Sequence, residues 1–460
     1  MAVCGSIVQQ LGDRSAILVH MEKALARAVE LLVSAAEGIA PSPGRRAWNY
    51  GWHVESYRRS GKAAISLADE VFSLSAEGLI KYEELMSALT GQVRIRERWD
   101  SEEIWGVVAS LIAHVSNAEN AEALAGSSLE RLLYSKPSLV VFPVANVQWK
   151  GPPIRIAKKL AIGILGEEFA NVVGGMGGRT GSSIEELIDY MGTQKHRPPI
   201  VGFAALVPGQ RSLAFTQAEQ KFHLLVDLSL LLEADKEKHG LFSVRGASNR
   251  PGVRGLTLDR TVIGEAFKIS NDTVDLACQP FIQDELGVSR AHRWYSPERV
   301  PLEDLLADDL LRSSIEKCLA SESNISRRIQ VAARWFSESF WSESTDDSAL
   351  AAGVALDALL GAKSALPGRA MKERFALLDP DPDKRADRAR KHEEIYAVRS
   401  IVAHGGESRK LEEGDFVREM QDAVTWTAKR LLEAESIFSI ASDKSLETMF
   451  EDLRWGTRSW

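Results

Sequence analysis

Cysteine is scarce in this chain. The 460 residues include only Cys4, Cys278 and Cys318, which lie far apart. This spacing excludes a disulfide framework and the paired cysteines of a zinc site. The nine histidines are dispersed as well, with no His-x3-His pair, so the sequence predicts no metal site and no cofactor. Low cysteine content is typical of a reducing compartment, and we expect a cytoplasmic protein.

Long hydrophobic runs are also missing. The most apolar stretch, 222–232, is short and contains Asp227, whereas a membrane-spanning helix needs about 20 apolar residues. The first residues, MAVCGSIVQQLGD, show no basic segment followed by an apolar run. We therefore expect no signal peptide and no membrane partner.

An excess of positive charge is the third absence. The formal net charge is −8 and the pI about 5.7, which argues against a protein that coats nucleic acid. A small basic cleft remains compatible with these values, because local patches steer a charged ligand. Hydrophobic content of 45% and charged content of 26% are those of a soluble globular protein.

The length predicts two to four domains. Periodicity favours a mainly α fold with a helical N-terminal region at 1–135, a mixed α/β sensor or regulatory region at 136–300, and a helical bundle at 301–460. Helices are expected at 13–40, 62–90, 101–117, 119–134, 157–173 and 217–234, with extended segments at 138–149 and 198–215.

Two stretches allow alternative interpretations. The glycine-rich residues Gly174 to Ser183 precede a predicted helix at 184–191 and could cradle phosphate, but no Gly-Lys-Ser/Thr follows, and a mobile loop is favoured. Residues 45–59 mix arginines with aromatic side chains and could bind nucleic acid. A loop that packs its aromatic rings on neighbouring helices is the favoured interpretation there.

The last region contains an acidic helix at 302–320 and then five more helical patterns. The first of the five has a buried stripe from Ile325 to Phe340, with Arg328, Arg334 and Trp335 off that stripe. The second is nearly all apolar and must be central. The patterns cover about 321–341, 348–360, 369–378, a segment ending near 404, and 415–438.

The fourth pattern contains an arginine and a histidine with four residues between them. Arg399 and His404 lie on the last turns of a helix that stops at Gly405-Gly406. Its expected buried stripe is Ile395, Val398 and Val402.

This pair supports phosphodiester chemistry without a metal. Arg399 can hold phosphate oxygens with two donors, and His404 can take or give a proton near neutral pH. The helix dipole favours a protonated imidazole at that end by about 0.3–1 kcal/mol. Five residues rotate a helix by about 140°, so a second chain or a loosened last turn is needed to bring both groups to one phosphate.

The segment RSIVAHGG, preceded by Tyr396 and by three helical patterns, resembles the HEPN superfamily and most closely its Apea-like branch, where R-x4–6-H marks metal-independent ribonucleases. The resemblance covers residues 321–440. It implies an antiparallel helical bundle, a homodimer formed through that bundle, and an endoribonuclease that leaves a 2′,3′-cyclic phosphate, with Arg399 and His404 catalytic. Its RNA substrate could be tRNA.

The same resemblance implies a role. RNA cleavage by such a toxin arrests a phage-infected host in abortive infection, an antiviral defence that a phage-derived trigger would release from restraint by the N-terminal region. The alternative is a bundle without catalytic activity that binds RNA or a nucleotide, or that only supports dimerisation.

Two residues are expected to support the pair. Asp357 stands in an apolar helix, where an unpaired carboxylate is costly, so we expect Arg399 or His404 as its partner; an Asp on a wet helix edge is the equal alternative. Ala355-Leu356-Asp357 resembles the Ala-Leu-Glu of Apea-like proteins. Ser400 stands where many HEPN ribonucleases have Asn, Asp or His, and its hydroxyl can still bond phosphate or imidazole.

A basic run precedes the motif. We predict that Arg388, Arg390 and Lys391 bind RNA, although Asp383 and Asp387 interrupt the run and a solvated helix face is the simpler interpretation.

Overall fold

A computed structural model describes residues 25–41, 63–67, 70–134, 137–176, 201–233, 250–253, 281–284, 287–290, 300, 302–321, 323–361, 367–412 and 415–460. Most of these residues are helical, so the chain is mainly α, as the sequence predicted. The described strands form sheets of three, two and five strands.

The chain divides into two compact units. One comprises residues 1–138 with 207–216, and the other comprises 139–206 with 217–460. The boundary predicted near 136 lies beside the first division, whereas the division predicted near 300 lies inside the second unit.

The first unit is built from helices and a small antiparallel sheet. Its elements are α1 (25–37), β1 (Ile39–Pro41), β2 (Ala63–Leu67), β3 (Glu70–Leu74), α2 (Ala76–Thr90), α3 (Val93–Arg98), α4 (Ser101–Ser116) and α5 (Ala121–Leu133). β3 pairs with both other strands. The helix predicted at 62–90 is therefore wrong before Ser75, whose side chain caps α2.

The second unit contains a five-stranded sheet and two helices. The elements are β4 (Ser138–Ala145), β5 (Ile154–Ile156), β6 (Leu160–Ile164), α6 (Glu167–Gly174), β7 (Val201–Val207), α7 (Arg211–Leu232) and β8 (Gly252–Val253). The strand order in the sheet is β5-β6-β7-β4-β8. Phe142, Phe203 and Phe222 bring a sheet face and helix α7 together through ring contacts of 5.2–6.1 Å. The helix predicted at 157–173 is wrong in its first half, which forms β6.

The C-terminal part of this unit begins with the hairpin β9 (Phe281–Asp284) and β10 (Gly287–Arg290). The acidic helix predicted at 302–320 is two helices, α8 (Leu302–Ala307) and α9 (Asp309–Ala320). The break occurs because the Asp308 side chain accepts hydrogen bonds from the backbone of Leu310 and Leu311 and so starts a new helix.

The bundle that follows is organised around one helix. The bundle helices are α10 (Asn324–Trp341), α11 (Thr345–Leu360), α12 (Pro367–Leu377), α13 (Arg385–Ala403), α14 (Arg409–Glu412), α15 (Phe416–Phe438) and α16 (Asp443–Trp455). The last of these lies beyond the predicted patterns. Helix α11 packs against five others, and its buried residues are mostly alanine and leucine, which confirms that the apolar pattern at 348–360 is central.

Candidate functional site

Helix α13 carries the Arg399/His404 motif and ends as predicted. Its buried face includes His392, Ile395 and Val398. At its C-terminus, Gly405 N donates to Val402 O at 2.9 Å and Gly406 N donates to Ile401 O at 3.0 Å. These two bonds form a Schellman motif, in which a glycine is favoured at the left-handed position, and Gly405 has a φ of +75°. His404 is the residue that caps this intact last turn.

Arg399 is ion-paired with Asp357 across the bundle. Its Nη2 atom lies 3.0 Å from Oδ2 of Asp357, and each side chain is 28% exposed. The prediction that Arg399 or His404 is the partner of Asp357 is confirmed, and the partner is Arg399. Burial raises the pKa of Asp357 above its usual value, and the charge of Arg399 opposes that rise.

Gly353 makes room for the arginine. A Cβ atom at Gly353 would lie 2.3 Å from Cγ and 2.8 Å from Cβ of Arg399. Gly353 and Asp357 are four residues apart and so share one face of α11. Together they form a seat for the arginine side chain, whose buried Nε atom has no hydrogen-bond partner within the described parts of the chain.

His404 lies on the solvent side of the same helix end. It is exposed, and its backbone N–H donates to Ser400 O at 3.2 Å and to Ile401 O at 3.1 Å. Arg399 instead points at α11. Within one chain, the two predicted catalytic side chains therefore point to different sides of α13. The last turn of the helix is intact and not loosened, so it does not bring them together.

Ser400 lies nearer to the side of α13 that carries His404 than to the side that carries Arg399. It is half-buried and precedes His404 by four residues, which places the two on one helix face. Its hydroxyl is thus on the side of the imidazole. A supporting role for Ser400 in the chemistry stays a prediction.

The basic residues before the motif are engaged in the bundle. Nε of Arg388 donates to Oδ2 of Asp379 at 2.9 Å, and its guanidinium lies 4.0 Å from the ring centroid of Trp426.

The other two basic residues also have acidic partners. Arg390 pairs with Asp387. Lys391 pairs with Glu419 and lies 4.9 Å from the Phe416 ring centroid. RNA binding by these three residues stays a prediction, and each of them has an acidic partner.

A buried histidine that the sequence patterns did not single out lies on the same helix. His392 is 2% exposed and lies between the rings of Tyr396 and Phe375, with centroids 6.2 and 5.8 Å away. Burial lowers its pKa to about 4, so it is neutral at pH 7. The sequence did contain a sign of its place near the motif. His392 precedes Arg399 by seven positions, which is about two helical turns, so both lie on one face of the helix.

Other expectations fall on residues without a described structure. The glycine-rich stretch is described only as far as Met176, and residues 45–59 lie outside the described residues. Within the described ranges, no group of three or more His, Cys, Asp and Glu side chains could hold a metal ion. No helix in the described part of the chain is long and apolar enough to cross a membrane.

We compared the chain with known protein families, curated proteins and solved structures. No protein-family model, no curated protein and no solved structure matches the chain significantly. The resemblance to the HEPN superfamily thus rests on the motif and on the order of the helical patterns.

Proposed function

We propose that this chain is a metal-independent endoribonuclease of the HEPN type, with Arg399 and His404 as its catalytic residues. The observation that carries the proposal is the seat formed by Gly353 and Asp357. It holds a guanidinium at the surface of the bundle, on the same helix end that presents an exposed imidazole.

In the proposed reaction, Arg399 binds the non-bridging oxygens of the scissile phosphate and stabilises the negative charge that develops there. His404 acts as the general base that removes the 2′-hydroxyl proton, or as the general acid that protonates the leaving 5′-oxygen. The 2′-oxygen forms a bond to phosphorus while the bond to the 5′-oxygen breaks. The products are a 2′,3′-cyclic phosphate and a 5′-hydroxyl.

A homodimer formed through the bundle completes this site. Arg399 faces α11, and His404 is about 140° away around an unbroken helix end. A second copy can supply the missing group, as two-fold symmetry would do at both sites at once. Ala397, Ile401 and His404 form an exposed stripe at helical spacing, and Ile401 is 42% exposed. This stripe gives a second bundle an apolar surface on which to pack.

The biological part of the proposal follows from the resemblance alone. Cleavage of host RNA, with tRNA as one candidate, would arrest a phage-infected cell. The N-terminal residues would restrain the bundle until a phage-derived trigger releases it. The motif and its geometry support the chemistry of the proposal.

The alternative is a bundle that binds RNA or a nucleotide without cutting it, or that only dimerises. One observation favours it, because the charge of Arg399 is already neutralised by Asp357. Binding alone produces no new RNA ends, so the two functions separate in one assay.

The test is cleavage of total tRNA and of a generic single-stranded RNA in EDTA, by the full chain and by residues 321–460, which lack the proposed restraint. We expect cyclic-phosphate ends that disappear with His404→Ala or Arg399→Gln, and that persist with His114→Ala, a change at an exposed histidine of α4. If neither the full chain nor residues 321–460 generate new ends, while the wild-type protein and the His404→Ala variant both bind RNA, the non-catalytic function is correct.

A further inference from the structure

The outer face of α10 carries an exposed stripe of basic and apolar side chains. Arg327, Val331, Arg334 and Trp335 follow one another at spacings of four, three and one residues, so they lie along one side of the helix. All four are exposed, Val331 at 50% and Trp335 at 40%. The opposite side of α10 is buried against the bundle.

The two arginines of this stripe differ from most cations of the bundle. Arg328 pairs with Asp443, Arg374 with Glu447 and Lys372 with Glu393. Neither Arg327 nor Arg334 has an ion-pair partner within the described ranges. Seven residues place them about 10 Å apart along the helix axis, with Val331 between them. The acidic residue on this side of the helix, Glu338, is paired with Arg250, so both arginine charges are free to bind an anion.

Trp335 adds a flat apolar surface beside Arg334. The indole contacts no other aromatic ring and no cation in the described part of the chain. An exposed tryptophan between arginines suits a ligand that combines negative charge with planar rings, since bases stack on aromatic side chains while arginines bind the phosphates.

We infer that this stripe binds a single strand of RNA, with Arg327 and Arg334 on phosphates and Trp335 stacked on a base. The choice of RNA over other single strands rests on the proposed function. Arg328, the next residue after Arg327, donates to the carbonyl oxygens of Ala358, Leu359 and Gly361. The first turns of α10 therefore lie against the C-terminal end of α11, the helix that carries Asp357.

The experiment measures binding separately from cleavage. The full chain is titrated against a fluorescent 2′-O-methyl RNA of about 12 nucleotides, a length within the range of single-strand binding sites. This probe lacks the free 2′-hydroxyl that cleavage needs. The variants are Arg327→Gln with Arg334→Gln, and Trp335→Ala. The matched control is Arg418→Gln with Lys444→Gln, two exposed cations elsewhere on the bundle that have no acidic partner in the described part of the chain.

We expect the arginine variant to bind more weakly and to flatten the slope of log affinity against log salt by about 1.4, since each phosphate contact to a single strand contributes about 0.7. Trp335→Ala should weaken binding roughly 5- to 150-fold, the range of one base-stacking contact. The control variant should keep the affinity and slope of the wild type.

Three results would overturn the inference. They are no binding by the wild-type chain, equal losses in the stripe and control variants, and a stripe variant whose affinity is unchanged while its molar mass in solution changes. The last result would assign the stripe to contact with protein. Cleavage of natural RNA by the same variants reports on the proposed function separately, because the probe itself is not cleaved.

Discussion

Gly353 lies directly against the side chain of Arg399: a Cβ atom built on the glycine would be 2.3 Å from Cγ of the arginine. This contact predicts that Gly353→Ala destabilises the protein by about 1–3 kcal/mol, the usual range for overpacking a core contact. The neighbouring atoms are Cβ and Cγ, close to the backbone, and cannot swing away as the end of a long side chain can. Thermal unfolding of the two proteins measures the effect.

Gly126 provides the matched control for this change. It lies within α5, and the nearest atom to a Cβ there would be Cγ2 of Val29, 4.0 Å away. Gly126→Ala should therefore stabilise the protein by up to about 1 kcal/mol, which is the difference in helix propensity. A Gly353→Ala variant that gains stability in the same way would show that Arg399 is not seated on α11.

Arg388 is predicted to stabilise the bundle through its ion pair with the buried carboxylate of Asp379, whose side chain is only 6% exposed. Arg388→Gln leaves that carboxylate without its charged partner and removes the contact with Trp426, so we expect a loss of about 1–3 kcal/mol. Arg390→Gln should change stability by less than about 0.5 kcal/mol, because its pair with Asp387 is exposed. Equal stability of both variants in thermal unfolding would contradict a structural role for Arg388.

The elements that the sequence predicted well are those whose local signals agree. The Ala-rich helix around Asp357 and the helix end at Gly405-Gly406 each combine an apolar pattern with a clear stop signal. Residues 160–164 were wrongly assigned to a helix because Leu160-Ala161-Ile162-Gly163-Ile164 is a short apolar run, and periodicity alone does not separate a buried strand from a helix. The strand forms because it pairs with β5, just before it in the chain, and with β7, which is distant in sequence.

The candidate site, too, could be predicted only in part, because contacts between helices cannot be read from local sequence patterns. The partner of Asp357 could be predicted because an unpaired carboxylate in an apolar helix is costly. The seat at Gly353 could not be predicted, since a glycine in an alanine-rich helix gives no sign of which side chain approaches it. Nor could the partners of Arg388 and Lys391, because Asp379 and Glu419 come close only through packing of the helices.

Mixing two inactive variants tests whether the site is shared between two copies. If each site takes its arginine from one chain and its histidine from the other, a heterodimer of Arg399→Ala and His404→Ala chains has one intact site and one doubly altered site. Random exchange of equal amounts should then restore about a quarter of wild-type RNA cleavage, since half of the dimers are mixed.

The two variants assayed alone are the control, and each should show no more cleavage than buffer. The mixture must also contain mixed dimers, which two different affinity tags verify. Mixed dimers without restored cleavage would place both groups of a site on one chain and would rule out the shared arrangement.

His392 predicts how stability depends on pH. Its pKa is about 4 in the folded protein, compared with about 6.5 for an unperturbed histidine. Between these values the unfolded chain binds the proton and the folded chain does not. The contribution of this residue to stability is therefore fully present above pH 6.5 and is lost as the pH falls toward 4, by on the order of 3 kcal/mol.

The measurement is urea unfolding of the wild-type protein and of His392→Phe at pH 7 and pH 4.5. Phenylalanine has no titratable group, and it replaces an Nδ1 atom that is buried without a hydrogen-bond partner in the described part of the chain. Other carboxylates and histidines titrate in both proteins, so only the difference between them reports on His392. We expect the variant to lose less stability on acidification, and an equal loss in both would show that His392 is not kept neutral by burial.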